Sequence, residues 1–85
     1  MALKILITAT PLKYLKSLDK NTRHRIIEKL KDVADSPLDA RLSKPLTASN
    51  KRSTRIGQYR VLFYLDAETL EVAEIGPRGQ VYRKL

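Results

Sequence analysis

Cysteine is absent from the 85 residues of this chain, which excludes disulfides, thiolate metal sites and thiol nucleophiles. Histidine occurs once, as His24, and tryptophan not at all. Long apolar runs are missing too, since the longest near the start is Ile5–Ile7. That run is far shorter than the core of a signal peptide or a membrane span. We therefore expect a cytoplasmic protein that has no membrane association, no metal and no small-molecule cofactor.

The length of the chain predicts one domain over residues 1–85, because separate cores rarely form in so short a sequence. Hydrophobic residues make up 42% of the chain, which is enough for a core and too many for disorder. A domain of this size buries only about 60% of its unfolded surface and is marginally stable alone.

Acidic residues are scarce where basic residues are concentrated. The formal net charge is +8, and the sequence from Arg41 to Leu65 contains six basic residues and no acid. After Glu74 the chain is again free of acids but contains three further basic residues. Because a solvated surface normally mixes both signs, the two acid-free stretches indicate a binding site. A field of this sign attracts polyanions in general, which include nucleic acids, anionic membranes and acidic proteins. The basic residues are Arg41, Lys44, Lys51, Arg52, Arg55 and Arg60, followed by Arg78, Arg83 and Lys84.

The N-terminal half of the sequence predicts one strand and two helices. Residues 3–8, LKILIT, are apolar and β-branched, as in a strand. Thr10 followed by Pro11 predicts a helix start, and this first helix should end near residue 19. Asn21 or Thr22 should cap a second helix, whose apolar face recurs with helical spacing and which should stop at residues 36–37. That face consists of Ile26, Ile27, Leu30, Val33 and Ala34.

The C-terminal half changes to an alternating pattern typical of strands. Residues 52–56 and 59–65 should form a hairpin around Gly57 and Gln58, and residues 70–75 a third strand. Residues 38–51 read as a polar connection pinned by Leu42 and Leu46, residues 76–79 as a turn, and residues 80–85 as a final strand or tail. The order predicts an α+β fold, in which two helices cover one face of a mostly antiparallel sheet of four or five strands.

Alternation along residues 59–65 predicts which side chains share a face of the sheet. The odd positions are all apolar or aromatic, so they should meet the helices. Arg60 should then project from the face that the helices leave open, with Arg55 beside it and Arg78 and Tyr82 nearby. Guanidinium groups with a phenol suit a phosphodiester, because arginine offers paired donors and tyrosine can stack or exchange a proton.

The two C-terminal motifs resemble those of the RelE/ParE toxin superfamily. Residues 55–62 read RIGQYRVL and residues 76–83 read GPRGQVYR, similar to the family patterns R-x-G-x-Y-R and G-x-R-x-x-V-Y-R. The N-terminal strand, the helix pair and the stretch Lys44–Leu46 are similar as well. The resemblance implies the toxin of a type II toxin–antitoxin pair, with a RelB-like antitoxin as partner.

RelE-type toxins cut messenger RNA in the ribosomal A site, where the 2′-hydroxyl attacks the adjacent phosphate. The resemblance therefore implies catalytic roles for Arg60, Arg78 and Tyr82, with the ribosome and messenger RNA as further partners. It implies RNA or ribosome binding by a set of basic residues, which are Lys44, Lys51, Arg52, Arg55 and Arg83.

The sequence departs from the family pattern at Ser53, where a second basic residue is usual, and at Pro77, where histidine is common. No general base is evident, which predicts weak cleavage of free RNA and a need for the ribosome to position the substrate. Two alternatives stay open at this point: a ParE-like inhibitor of DNA gyrase, and an inactive basic module that binds RNA or protein.

Overall fold

The computed structural model describes residues 2–46 and 50–77, which form two helices and five strands. Their order is β1 (Lys4–Ile7), α1 (Ala9–Ser17), α2 (Lys20–Asp35), β2 (Lys44–Pro45), β3 (Arg52–Ile56), β4 (Tyr59–Leu65) and β5 (Thr69–Pro77). The strands lie in the spatial order β1-β5-β4-β3-β2, and each neighbouring pair is antiparallel except the parallel pair of β1 and β5. The predicted α+β fold is confirmed.

Both helices cover one face of this sheet, as the apolar patterns predict. The odd residues of β4 meet them, and Val61 and Phe63 are 0% exposed. Four of the five apolar residues predicted on α2 are buried, and the fifth, Ile27, packs half-buried against the same core. The buried core consists of Leu15, Ile26, Leu30, Val33, Ala34, Ile56, Val61, Phe63, Leu70, Val72 and Ile75.

Strand β5 contains an irregularity that alternation alone does not reveal. Its register with β4 shifts after Leu62, which leaves Ala73 as an extra residue opposite the partner strand. Such a bulge changes the phase of the side chains. The even positions Leu70 and Val72 therefore face the core before the bulge, and the odd position Ile75 faces it after the bulge.

Both predicted helix caps are wrong by two or three residues. Thr8 precedes α1, and its hydroxyl donates to the carbonyl of Val72 at 3.2 Å and does not cap the helix. Pro11 is consequently the third helical residue. Asp19 caps α2 by accepting the amide of Thr22 at 3.0 Å, because only two residues separate the helices.

The strand predictions are correct for β1, β3 and β4 and incomplete elsewhere. The connection predicted over residues 38–51 contains the short strand β2, which pairs with β3. Strand β5 runs through the predicted turn as far as Pro77, since Gly76 still pairs with Arg60. The predicted strand over residues 80–85 lies outside the described residues. Within residues 2–46 and 50–77, neither helix has the length and apolar composition that crossing a bilayer requires.

Candidate polyanion-binding site

A cleft of about 220 Å³ beside strand β3 collects basic side chains from separate parts of the chain. Lys29 comes from α2, Arg41 from the segment before β2, Lys44 from β2, Arg55 from β3 and Arg60 from β4. Among the described residues, no carboxylate lines it. The remaining lining residues are small, polar or aliphatic: Ala40, Leu42, Ser43, Ser53 and Thr54. We refer to this feature as the basic cleft.

The β3–β4 hairpin places two arginines of the basic cleft directly opposite each other. Arg55 pairs with Arg60 in the sheet register. A two-residue turn fixes this register, and Gly57 adopts a left-handed φ of +56° there, a conformation that costs glycine little. Like charges opposite each other on adjacent strands are destabilising in the absence of an anion. An anion bound at this point would be attracted by both guanidinium groups.

Hydrogen bonds hold the segment before β2 against the sheet and so shape the basic cleft. The hydroxyl of Thr54 donates to the carbonyl of Leu42 at 2.7 Å. The guanidinium of Arg52 donates to the hydroxyl of Ser43 at 3.2 Å and to its carbonyl at 3.3 Å. Arg52 therefore supports the wall of the cleft and does not line it.

Arg41, which is exposed, is held by a neighbouring carboxylate. Its Nε and Nη2 atoms donate to the two oxygens of Asp39 at 3.1 and 2.8 Å. The backbone amide of Arg41 donates to the same carboxylate at 2.9 Å. These hydrogen bonds lower the pKa of Asp39 to about 2. The positive charge of Arg41 is thus partly offset at the edge of the basic cleft.

The Asp39–Arg41 pair predicts an acid-sensitive contribution to stability. The folded pKa of Asp39, about 2, lies below its unfolded value of about 3.9, so the contribution is present above pH ~4 and lost as pH falls towards 2. Asp39→Asn should lower the melting temperature near neutral pH, and its difference from the wild type should shrink as pH falls below ~4 and vanish only below about pH 2, the folded pKa of Asp39. Thermal melts followed by circular dichroism across this range measure it. A difference that stays constant with pH would contradict the assignment.

The structure brings together three of the basic residues predicted for the site. Arg60, Arg55 and Lys44 all line the basic cleft. Lys51 does not line it, and its ammonium lies 5.8 Å from the centroid of the Tyr64 ring, which is within the range of a cation–π contact. Arg52 is turned to Ser43. Arg78, Tyr82 and Arg83 lie outside the described residues.

The expectation of an open sheet face around Arg60 needs correction. Arg60 does point away from the helices, since its neighbour Val61 lies in the core. Leu62, however, faces the same way as Arg60 and is 0% exposed. Arg60 itself is half-buried, and its Nε atom is removed from solvent. The arginine is therefore held in a partly covered position, where an electrostatic contact is stronger than in open water.

Lys29 and Arg41 line the basic cleft, although the sequence motifs did not place them in the site. Arg41 begins the acid-free basic stretch, and that position was the available signal. No sequence signal pointed to Lys29, because it is one of several lysines on α2 and only the apolar face of that helix showed a pattern. Packing of α2 beside β3 brings Lys29 to the basic cleft.

Comparisons with known proteins give consistent results. The model of the family described as ParE toxin of type II toxin–antitoxin system, parDE, matches residues 5–82. No curated protein sequence matches the chain significantly. Among solved structures, the toxin–antitoxin complex RelBE2 of Mycobacterium tuberculosis contains a chain that is 25% identical, with 92% of this chain and 100% of that chain covered and a TM-score of 0.79.

Two further solved structures have the same fold. The free toxin RelE of E. coli, as an arginine-to-alanine double mutant, is 21% identical over 98% of this chain and 93% of that chain, with a TM-score of 0.80. The archaeal RelE–RelB complex of Pyrococcus horikoshii contains a chain that is 22% identical over 94% of this chain and 99% of that chain, with a TM-score of 0.76.

Proposed function

We propose that this chain, which belongs to the ParE toxin family within the RelE/ParE superfamily and is a toxin of a type II toxin–antitoxin system, is a cytoplasmic, ribosome-dependent endoribonuclease that cleaves messenger RNA in the A site. The observation that carries this proposal is the basic cleft, in which five basic side chains converge and none of the described lining residues is acidic. A phosphodiester backbone is the ligand that such a cleft attracts most strongly.

In this mechanism the RNA 2′-hydroxyl attacks the adjacent phosphorus. The O2′–P bond forms as the 2′-hydroxyl loses its proton to water, and the P–O5′ bond breaks as the departing O5′ takes up a proton, which yields a 2′,3′-cyclic phosphate and a 5′-hydroxyl. Arg60 stabilises the charge that develops on the phosphorane, because its guanidinium is already held in place when that charge appears. Arg78 would share this role and Tyr82 would orient the nucleotide or transfer a proton, as the family resemblance implies.

The lining of the basic cleft supports the proposed dependence on the ribosome. Within the described residues, neither a carboxylate nor an imidazole lines it, so the cleft offers no general base for the 2′-hydroxyl. Charge stabilisation alone accelerates cleavage only if the attacking oxygen and the phosphorus are already aligned. Fixing that alignment supplies a large part of a rate enhancement, and here the ribosome would provide it.

A cognate antitoxin, RelB-like and with an acidic or amphipathic segment, is the proposed protein partner. The similar chain from M. tuberculosis was solved in a toxin–antitoxin complex, and the one from P. horikoshii was solved in a RelE–RelB complex. The net charge of +8 favours a partner with acidic side chains.

Inhibition of DNA gyrase is the second candidate function. It is favoured by the matching family description, which names the ParE toxin. A basic surface also attracts DNA and acidic proteins, so charge alone does not separate the two functions.

Two parallel assays separate these candidates. Purified toxin is added to translating ribosomes, and the ends of the messenger are mapped by primer extension. The same preparation is added to gyrase, and supercoiling is followed on relaxed plasmid. We expect new messenger ends at the A site and unchanged supercoiling. Intact messenger together with blocked supercoiling would transfer the assignment to gyrase inhibition, and no effect in either assay would leave a binding module.

A further inference from the structure

Lys29 contributes a positive charge from a helix to a cleft otherwise formed by strands and the segment before β2. It is half-buried on α2 and lines the basic cleft together with Arg55 and Arg60. A lysine in this position keeps its aliphatic stem against the protein and presents its ammonium to the cleft.

The basic cleft continues into a second groove between α2 and the β3–β4 turn. This groove has a volume of about 410 Å³, and Lys29 and Arg55 line both spaces. Arg25 lines its far side, with Nη2 so near the turn that a Cβ added to Gly57 would lie 3.3 Å from it. Lys29 and Arg55 therefore stand at the passage from the basic cleft to the groove.

Acidic residues also line the groove, so its charge differs from that of the basic cleft. Glu28 and Asp32 lie along it on α2. Glu28 is paired with Lys31 at 3.1 Å, which offsets its charge. The strongest uniform positive charge is thus in the basic cleft and at the passage, while the groove beyond is mixed.

The number of charges indicates how much of a ligand the basic cleft accommodates. Lys29, Lys44 and Arg55 alone bring three positive charges, and one phosphodiester brings a single negative charge. Binding one phosphate would leave most of this repulsion in place. A strand with consecutive phosphates offsets it, and each neutralised phosphate of a single strand releases counterions that favour binding.

On the premise of the proposed ribonuclease function, we propose that the basic cleft binds at least two consecutive phosphates of a single RNA strand. Lys29 contacts the phosphate next to the one that Arg60 stabilises. From there the strand leaves past Arg55 into the groove between α2 and the β3–β4 turn. Lys29 is thus a substrate-binding residue that selects a backbone and disfavours an isolated phosphate.

The test measures binding without cleavage or ribosomes. The ligands are a single-stranded RNA tetranucleotide with every 2′-hydroxyl methylated, which blocks attack on phosphorus, and a 2′-O-methyl nucleoside 3′-(methyl phosphate), a mononucleotide with one phosphodiester. Dissociation constants for the full-length toxin are measured between about 50 and 200 mM salt. The variants are Lys29→Met, which keeps the length of the side chain but removes its charge, and Lys29→Arg, which keeps the charge.

Lys13→Met is the matched control, because Lys13 is an exposed lysine on α1, and α1 packs on β5, away from the basic cleft. We expect Lys29→Met to weaken binding of the tetranucleotide. The slope of log K against log salt concentration should become shallower by about 0.7, the value for one phosphate of a single strand. The mononucleotide should be little affected. Lys29→Arg and Lys13→Met should keep the slope of the wild type.

A slope for Lys29→Met equal to that for Lys13→Met would overturn the inference, even if the wild-type toxin cleaves messenger on ribosomes. The inference would also be overturned if Lys29→Met lost affinity for an acidic peptide such as polyglutamate and kept its affinity for the tetranucleotide, because Lys29 would then bind a protein partner. Conversely, a flatter slope with no messenger cleavage would keep the two-phosphate site and reject the ribonuclease function.

Discussion

Replacing Arg60 with alanine should lower the rate of messenger cleavage in the A site by about 10²–10³-fold, the usual effect of removing one preorganised donor to a developing charge. The half-buried guanidinium lies in a cleft lined by other cations, and its Nε atom is shielded from water. Its interaction with a phosphorane is therefore less screened than at an exposed site. Cells expressing the variant should grow where the wild-type toxin arrests them.

This loss should not come from unfolding. Arg60 points away from the helices, and its pairing in the sheet with Arg55 and Gly76 is made by the backbone and survives truncation of the side chain. Arg23→Ala is the matched control, because Arg23 is also half-buried but lines no part of the basic cleft. Both variants should give the same far-ultraviolet circular dichroism as the wild type.

The assignment would be wrong if Arg60→Ala and Arg23→Ala cleaved messenger equally well. Arg60→Lys distinguishes charge from geometry. It should recover part of the activity, since an ammonium supplies the charge but not the paired donors of a guanidinium.

Replacing Phe63 with alanine should lower the free energy of unfolding by about 3–5 kcal/mol, because it leaves a cavity at the centre of the core. Phe63 is 0% exposed and lies on the middle strand of the sheet, where it contributes the largest of the fully buried side chains. Domains of this kind have about 5–15 kcal/mol of stability in total. The melting temperature should therefore fall by at least ~12 °C, and the fraction of unfolded molecules at growth temperature should rise.

Tyr64→Ala is the control on the same strand. Tyr64 faces away from the helices and is half-buried, with Lys51 over its ring. Tyr64→Ala should lower the free energy of unfolding much less than Phe63→Ala does, because a cation–π contact at the surface contributes about 0.5–1 kcal/mol. Urea unfolding of both variants measures the difference. Equal losses would mean that the core does not lie on the side of β4 that faces the helices.

The two expected losses separate the two faces of strand β4. Truncating Arg60 should remove activity from a protein that stays folded, whereas truncating Phe63 should remove stability and, through it, activity. Side chains that alternate along one strand can differ in this way because successive residues point to opposite faces of the sheet.

The sequence alone determined the elements that depend on local patterns. The apolar face of α2 and the alternation in β3 and β4 predicted these elements, since helical spacing and strand alternation are properties of neighbouring residues. The same alternation placed Arg60 opposite the core. The acid-free basic stretch predicted a polyanion site, and Lys44, Arg55 and Arg60 from that stretch do line the basic cleft.

Features that depend on distant partners could not be read from the sequence. The hydroxyl of Thr8 bonds to Val72 across the fold, and β2 is too short to show a period of its own. The bulge at Ala73 is visible only against the register of β4. In each case the deciding contact joins residues that local propensity does not connect.

The composition of the basic cleft was settled in the same way. Arg52 begins β3 and Lys51 directly precedes it, and both have the charge that a sequence argument requires. Arg52, however, bonds to Ser43, and Lys51 lies over the ring of Tyr64. Lys29 has neither signal and yet lines the cleft. Sequence determined how much positive charge this protein carries and on which strands, because charge and alternation are local. Only the tertiary structure decided which charges meet, because that depends on the packing of α2 and the segment before β2 against β3.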